Sequence, residues 1–382
     1  MSIKTTLKAS VAAAALIAVA APVVSSPAEA GLKNGNDNSV TISGALVRSL
    51  MYTDNGQSND WSHVDGGTDN SRLRILVKGQ LTESIEVGGV WEANLPGSQA
   101  QGSTSSTGTG QQGNITNSAD SGEFGFRKTE ITFNHKTMGK LSIGQSSTAS
   151  DNKPSLDGTV NNNAGISHGG GMMVYDKTGN AQTTDTAGGQ FSSYFGGRKD
   201  RVRYDTPSFV GFQGSVAFGQ ASFWDVGLTY GATYGDIQVA AAAQFAHAGG
   251  SAHPSESYGA GVAIKHTSGL SAGAHWGEEA GAGNNSAGVS NPEGSAWGVE
   301  AGYTTTAISN LGSTSFNVIY VEADETTAVN YEAETISFHV AQKLPAGVDV
   351  FASYEQASFD DANAATDLDD LTVFLVGTRL KF

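Results

Sequence analysis

Sixteen stretches of this 382-residue chain alternate apolar and polar residues with a period of two, and the gaps between them alternate short and long. The stretches cover 40–53, 71–82, 84–96, 123–136, 139–148, 200–206, 211–220, 225–234, 236–247 and 256–268, then 270–278, 296–307, 313–324, 332–343, 347–358 and 370–382. Short gaps fall at Thr82-Glu83, Thr137-Met138, Thr206-Pro207-Ser208, Gly235, Ser268-Gly269 and Pro345-Ala346, and long ones span 54–70, 97–122, 149–199, 248–255, 278–295 and 359–369. Period-two alternation marks half-buried strands. Tight turns at one end and long loops at the other mark an up-and-down barrel crossing an outer membrane. Such a sheet must close on itself, because lipid offers no hydrogen-bond partner to a free strand edge. One gap, 221–224, is short where the rhythm expects a long loop.

The faces of the stretches support this. In 71–82, Leu73, Ile75, Val77 and Leu81 oppose Arg72, Arg74, Lys78 and Gln80. In 200–206, Val202 and Tyr204 oppose Arg201, Arg203 and Asp205. A soluble sandwich would show the same alternation with its apolar face inward, so it is the rhythm of the gaps that favours a barrel. Aromatic residues gather near strand ends (Tyr52, Phe133, Phe212, Phe218, Tyr230, Tyr234, Trp297, Tyr303, Tyr320, Phe338 and Tyr354), as expected of girdles at the two membrane interfaces. The last stretch ends on Phe382, with Phe374, Val376 and Leu380 on the same face and Arg379 and Lys381 on the other.

The first thirty residues read as an export signal. Lys4 and Lys8 precede an apolar stretch from Val11 to Val24, and Ala28-Glu29-Ala30 is a cleavage box before Gly31. An uncleaved anchor is the rival reading. The apolar stretch, however, is shorter than the roughly 20 residues a spanning helix needs. The expected domains are therefore a signal peptide over 1–30 and one barrel over 31–382. Removing Lys4, Lys8 and Glu29 takes 21 basic and 37 acidic residues to 19 and 36, a formal charge of −17. That balance excludes nucleic acid as a partner, since phosphates demand Lys and Arg. The chain has no cysteine, so no disulfide staples the fold.

These residues resemble a known family. Val40-Thr41-Ile42-Ser43-Gly44, Ser71-Arg72-Leu73-Arg74-Ile75, the run from Asp200 through Arg201-Val202-Arg203-Tyr204-Asp205-Thr206-Pro207-Ser208-Phe209 to Phe212, and the terminal Phe382 are similar to the trimeric general-diffusion porins of Gram-negative outer membranes, of the alphaproteobacterial type. The resemblance implies an all-β, 16-stranded antiparallel transmembrane barrel with a long constriction loop inside the lumen. It also implies a homotrimer, contact with outer-membrane lipids and lipopolysaccharide, and assembly machinery that reads Phe382 as an insertion signal. The implied function is a water-filled channel for passive diffusion of small polar solutes and ions, without a cofactor.

The loop over 149–199 is the expected constriction. A connection this long without structure of its own is functional or disordered. It carries Asp151, Asp157, Asp176 and Asp185, set against a basic wall of Arg72, Arg74, Lys78, Arg201 and Arg203. Opposed charges across a narrow passage would orient dipolar solutes and penalise apolar ones. The alternative is that these arginines are solvated wall residues. Lipid placement is disfavoured, at about 2–4 kcal/mol for Arg or Lys near the midplane. Arg48 breaks the pattern by sharing a face with Val40, Ile42 and Leu46. Gln145 stands where the family often has a basic residue. Acidic groups at Asp360, Asp361, Asp367, Asp369, Asp370, Glu322, Asp324 and Glu325 are expected in external loops, giving mild cation preference. They could instead hold Ca²⁺, a hard cation that takes several oxygens.

Enzyme signatures are weak. His247 and His253 lack an accompanying zinc motif, no G-x-S-x-G elbow occurs, and Gly169-Gly170-Gly171 lacks the strand-to-helix setting of a phosphate loop. His275 and His339 fall on lumen faces. The polar run Ser103-Thr104-Ser105-Ser106-Thr107-Gly108 is expected to be flexible. Two other functions stay open at this point: a substrate-specific channel on the same scaffold, and a secreted adhesive β-protein.

Overall fold

The computed structural model describes residues 37–57, 59–65, 71–95, 125–151, 173–179, 181–186, 194, 196–250, 254–281, 283, 292–326, 329–362 and 367–382. The strands in chain order are β1 (Ser39–Asp54), β2 (Asn59–Val64), β3 (Arg72–Thr82), β4 (Ile85–Asn94), β5 (Gly125–His135), β6 (Gly139–Ser147), β7 (Met173–Tyr175), β8 (Ala181–Thr186), β9 (Arg198–Asp205) and β10 (Phe212–Gly219). They continue with β11 (Trp224–Tyr234), β12 (Ile237–His247), β13 (Glu256–His266), β14 (Leu270–Ala280), β15 (Ser295–Thr305), β16 (Thr314–Asp324), β17 (Tyr331–Lys343), β18 (Val348–Asp361) and β19 (Leu371–Lys381).

Neighbouring strands pair antiparallel around a ring that closes where β19 meets β1, from Ala45↔Lys381 to Asp54↔Thr372. β2 pairs with the second half of β1 and β3 with the first half, so the two act as one wall strand interrupted at 65–71. Counted this way, the wall has sixteen strands; β7 and β8 form a separate hairpin. Each of the sixteen expected stretches coincides with a wall strand, with ends shifted by no more than three residues. The three strands that periodicity did not find are β2 and the two of the hairpin, β7 and β8. The short gap at 221–224 is a tight 3₁₀ turn over Gln220–Ser222, made possible by positive φ at Ala221 and Ser222.

Directly paired residues share a face, and the register therefore assigns every wall residue. The expected aromatic residues all fall on the outer face, several packed across strands: Phe212 against Tyr230 at 4.6 Å, Trp297 against Tyr320 at 5.5 Å, and Phe338 against Tyr354 at 6.5 Å between ring centroids. Ile42, Leu50, Phe218, Leu228 and Phe338 lie exposed on that face. Around a soluble protein so much apolar surface would be a liability; around this cylinder it is a hydrocarbon-facing belt. Among the described residues no helix is long and apolar enough to cross a membrane, and the strands do the crossing.

The interior is uneven. Lumen-facing Val47 and Met51 of β1 and Val373 and Leu375 of β19 are buried in one apolar cluster with Val174 of β7 and Leu368. Charged residues face inward along β3 to β11 and again on β18 and β19, where Arg379 meets Asp349 at 2.6 Å and Glu355 is buried. Residues 1–30, the run 103–108, Asp157, Gly169–Gly171 and His253 lie outside the described residues.

Candidate functional site

Arg72, Arg74 and Lys78 alternate along β3 and face inward, because their partners Ala45, Ser43 and Ser39 lie on the inner face of β1. On the other side Arg74 faces Glu92 of β4. Glu92 has no exposed surface. Arg74 Nε donates to its Oε2 at 2.5 Å, Arg127 Nε donates to its Oε1 at 3.0 Å, and Arg72 Nη1 lies 4.0 Å from Oε1. Lys128 is opposite Glu92 in the register. A single buried carboxylate thus organises a cluster of cations, and Lys78 pairs separately with Glu86 at 2.8 Å.

Arg201 and Arg203 of β9 also face inward, but they serve the protein's own backbone. Arg201 Nη2 meets Glu130 Oε2 at 2.6 Å, while its other nitrogens donate to the carbonyls of Ser147 at 3.0 Å and Gly144 at 3.1 Å. Arg203 Nε donates to Asp205 Oδ1 at 2.8 Å and its Nη1 to the Thr148 carbonyl at 2.6 Å. Asp205 takes a further bond from Ser215 and lies 3.4 Å from Lys140. Charge-assisted bonds of this kind are short and strong, and they hold both guanidinium groups against the end of β6.

The loop residues scatter. Asp151 stands at the loop root, within the field of Lys128 and Arg198. Asp176 is buried, and its Oδ1 accepts bonds from the Thr178 N–H and hydroxyl at 2.9 and 2.7 Å, so it caps its own turn. Asp185 belongs to β8. Described parts of the connection touch the barrel at widely separated points. Asp225 of β11 accepts from Ala149 N–H, Ser150 N–H and the Ser150 hydroxyl at 3.2, 2.8 and 2.6 Å. Gln244 of β12 donates to the Tyr194 carbonyl. Near the hairpin, Lys177 N–H donates to the Asp367 carbonyl at 2.9 Å, and Asp369 N–H donates to the Tyr175 carbonyl at 2.8 Å. The Lys177 ammonium is held above the ordinary lysine value, first by its hydrogen bond to Asp367. The Tyr194 phenol is raised by burial and then by Glu279 and Asp324.

Gln145 and part of the acidic surplus differ from the sequence reading, whereas Arg48 keeps the face that its parity gave it, shared with Ile42 and Leu46. It lies on the outer face between Leu46 and Leu50, where its Nη1 donates to the Val47 carbonyl at 2.7 Å and to Ser71 Oγ at 3.3 Å, 3.8 Å from buried Asp65. The break between β2 and β3 provides those partners. Gln145 pairs with Thr129 on the outer face, so it takes nothing from the basic cluster. Glu322 and Asp324 end β16 on the outer face, and Glu322 faces Glu334 with the Tyr320 hydroxyl donating to both at 3.1 and 3.0 Å. These two acids therefore lie on the outer face at the end of β16 and not in the loop beyond it. Among the described residues no three His, Asp or Glu gather to hold a metal ion. Sequence reasoning did not single out Glu92, Glu130 and Asp225, although their parity places them on the same face as the arginines, and it placed Asp205 beside Arg201 and Arg203 without giving it a partner. Phe382 pairs with Gly44 at the closing seam, through bonds of 2.8 and 3.1 Å.

A closed cylinder of sixteen strands, apolar outside and charged within, defines an outer-membrane β-barrel of the channel-forming kind. A family model described as Gram-negative porin matches residues 9–362. The chain belongs to the Gram-negative porin family. Among solved structures it is similar to the anion-selective porin of Comamonas acidovorans, at 14% identity over 91% of this chain and 100% of that one, with a TM-score of 0.60. It is also similar to OmpT of Vibrio cholerae in its trimer form (15% identity, 91% and 100% covered, TM-score 0.55) and to Salmonella typhi OmpF in complex with daunomycin (14%, 90% and 98%, 0.55). At these identities the likeness is one of fold. No curated protein sequence matches the chain.

Proposed function

We propose that the protein is a general-diffusion channel that lets small hydrophilic solutes and ions cross the outer membrane passively, with no catalytic role and no cofactor. The observation that carries this reading is the radial inversion of the wall, with hydrocarbon-facing aromatics and aliphatics outside and guanidinium, ammonium and carboxylate groups inside. The 149–199 connection narrows the passage, with Asp151 in the field of Lys128 and Arg198 and the basic wall of Arg72, Arg74 and Lys78 lining the lumen. Arg201 and Arg203 contribute field while bracing the loop. Export through the 1–30 signal, assembly read from Phe382, contact with lipopolysaccharide and association into a homotrimer complete the proposal.

Selectivity has two readings. The formal charge of −17 after signal removal favours mild cation preference, since an acidic mouth concentrates cations. The cluster of Arg72, Arg74, Arg127 and Lys128 around the single Glu92 favours anions at the narrow level. Reversal potentials in a KCl gradient decide between them. For the channel itself, proteoliposome swelling in sugars of rising size should show a smooth cutoff. Uptake of one solute alone would replace general diffusion with a substrate-specific channel.

A further inference from the structure

We infer that Arg203, Ala217 and Asp225 form a cradle that turns the root of the 149–199 connection inward, and that Asp225 is its positioning residue. The three side chains lie in one row across β9, β10 and β11: Ala217 pairs with Arg203 on one side and with Asp225 on the other, and all face the lumen. Residues 148–150 lie across that row. Arg203 donates to the Thr148 carbonyl at 2.6 Å, and Asp225 accepts the N–H groups of Ala149 and Ser150 together with the Ser150 hydroxyl. A cation thus meets the carbonyl end of the segment and an anion meets its amide end. Ala217, wholly buried between them, supplies the shallow floor.

The β6–β9 ladder runs on past Ser147 and bends inward there. β6 neighbours β9, and β11 lies two strands beyond β9. Three Cα steps from Ser147 to Ser150 cover at most about 11 Å, so the segment meets the Asp225 carboxylate by leaning inward over β9 and β10. The return end is tied to the same place, since Thr148 N–H donates to the Gly197 carbonyl at 2.9 Å and Gly196 N–H to the Ser150 carbonyl at 3.1 Å. Both ends of the connection therefore leave the wall at the cradle. Asp225 follows a tight turn and not a long loop, which leaves room for the segment to pass over β10. An asparagine at 225 would keep the shape but present an NH₂ group to N–H or hydroxyl donors and lose the charge-assisted bonds.

This inference rests on the reading of 149–199 as the constriction, and two measurements separate them. The full-length barrel, its D225N variant and its A217L variant would be purified in detergent, checked for equal thermal unfolding, and exposed to proteinase K. Cuts would be located by mass spectrometry, and unitary conductance would be recorded in planar bilayers. The cradle predicts that both variants become cleavable within 149–199 while the wild type resists, and that unitary conductance changes by about twofold or more. Cleavage patterns matching the wild type in both variants overturn the cradle. New cleavage with unchanged conductance upholds the cradle and removes the constriction reading.

Discussion

Glu92 is a carboxylate without exposed surface whose oxygens are taken by Arg74 and Arg127, with Arg72 at 4.0 Å. Replacing it by Gln keeps the volume and one acceptor but leaves the guanidinium groups facing one another. The loss of charge-assisted bonds should cost about 1–3 kcal/mol. It should also shift the reversal potential in a KCl gradient toward chloride. A lower unfolding temperature with an unmoved reversal potential would show that Glu92 is structural and that its cations do not face the permeation path. At this scale the sequence was only half legible. Parity placed Arg72, Arg74, Arg201 and Arg203 on the inner face, because one strand period is enough for that. It did not mark Arg127 and Lys128, since adjacent residues cannot both face inward in a regular strand. The register shift between Glu92 and Ala93 pairs Glu92 with Lys128 and Ala93 with Phe126, leaving Arg127 in a bulge. Nor does parity reveal what a charged group touches: Glu92 and Arg127 are 35 residues apart in the chain.

At the scale of elements, the wall strands were legible because a strand between lipid and water repeats the same contrast along its whole length. β2 was not, because Asn59-Asp60-Trp61-Ser62-His63-Val64 is short and mostly polar and reads as loop. It becomes a strand through its pairing with β1. The β7–β8 hairpin gains order in the same way, from the segment at 367–369. Gly144 shows how a single residue shapes an element. It lies within β6 at φ +127°, its added Cβ would collide with the Thr129 carbonyl, and its own carbonyl accepts from Arg201 at 3.1 Å. Gly144→Ala forces a side chain into a backbone region that suits glycine, at about 1–3 kcal/mol. The expected result is a lower temperature for loss of the compact, heat-modifiable band on a denaturing gel. An unchanged transition would mean that β6 relaxes to ordinary strand geometry without cost.

At the scale of the whole molecule, everything depends on the ring closing between the first and last strands. The seam ends where Gly44 N–H donates to the Phe382 carbonyl and Phe382 N–H returns a bond to Gly44. A Cβ placed on Gly44 would lie 2.7 Å from the Phe382 ring and would also strike the Arg72 carbonyl, so the ring occupies space that only glycine leaves. Two roles are proposed for Phe382, a plug over the seam and the assembly address that the family resemblance implies, and they make different demands. Gly44→Leu displaces the ring and crowds β3, so it should block closure both in cells and during refolding of the purified chain into lipid vesicles. Phe382→Ala leaves the backbone bonds of the seam intact. It should therefore refold in vesicles almost as well as the wild type, yet accumulate little assembled barrel in the outer membrane. The measurement is the fraction of heat-modifiable barrel in each setting. If Phe382→Ala fails in vesicles as badly as Gly44→Leu, the ring is needed to close the cylinder, and the separate role as an address is unnecessary.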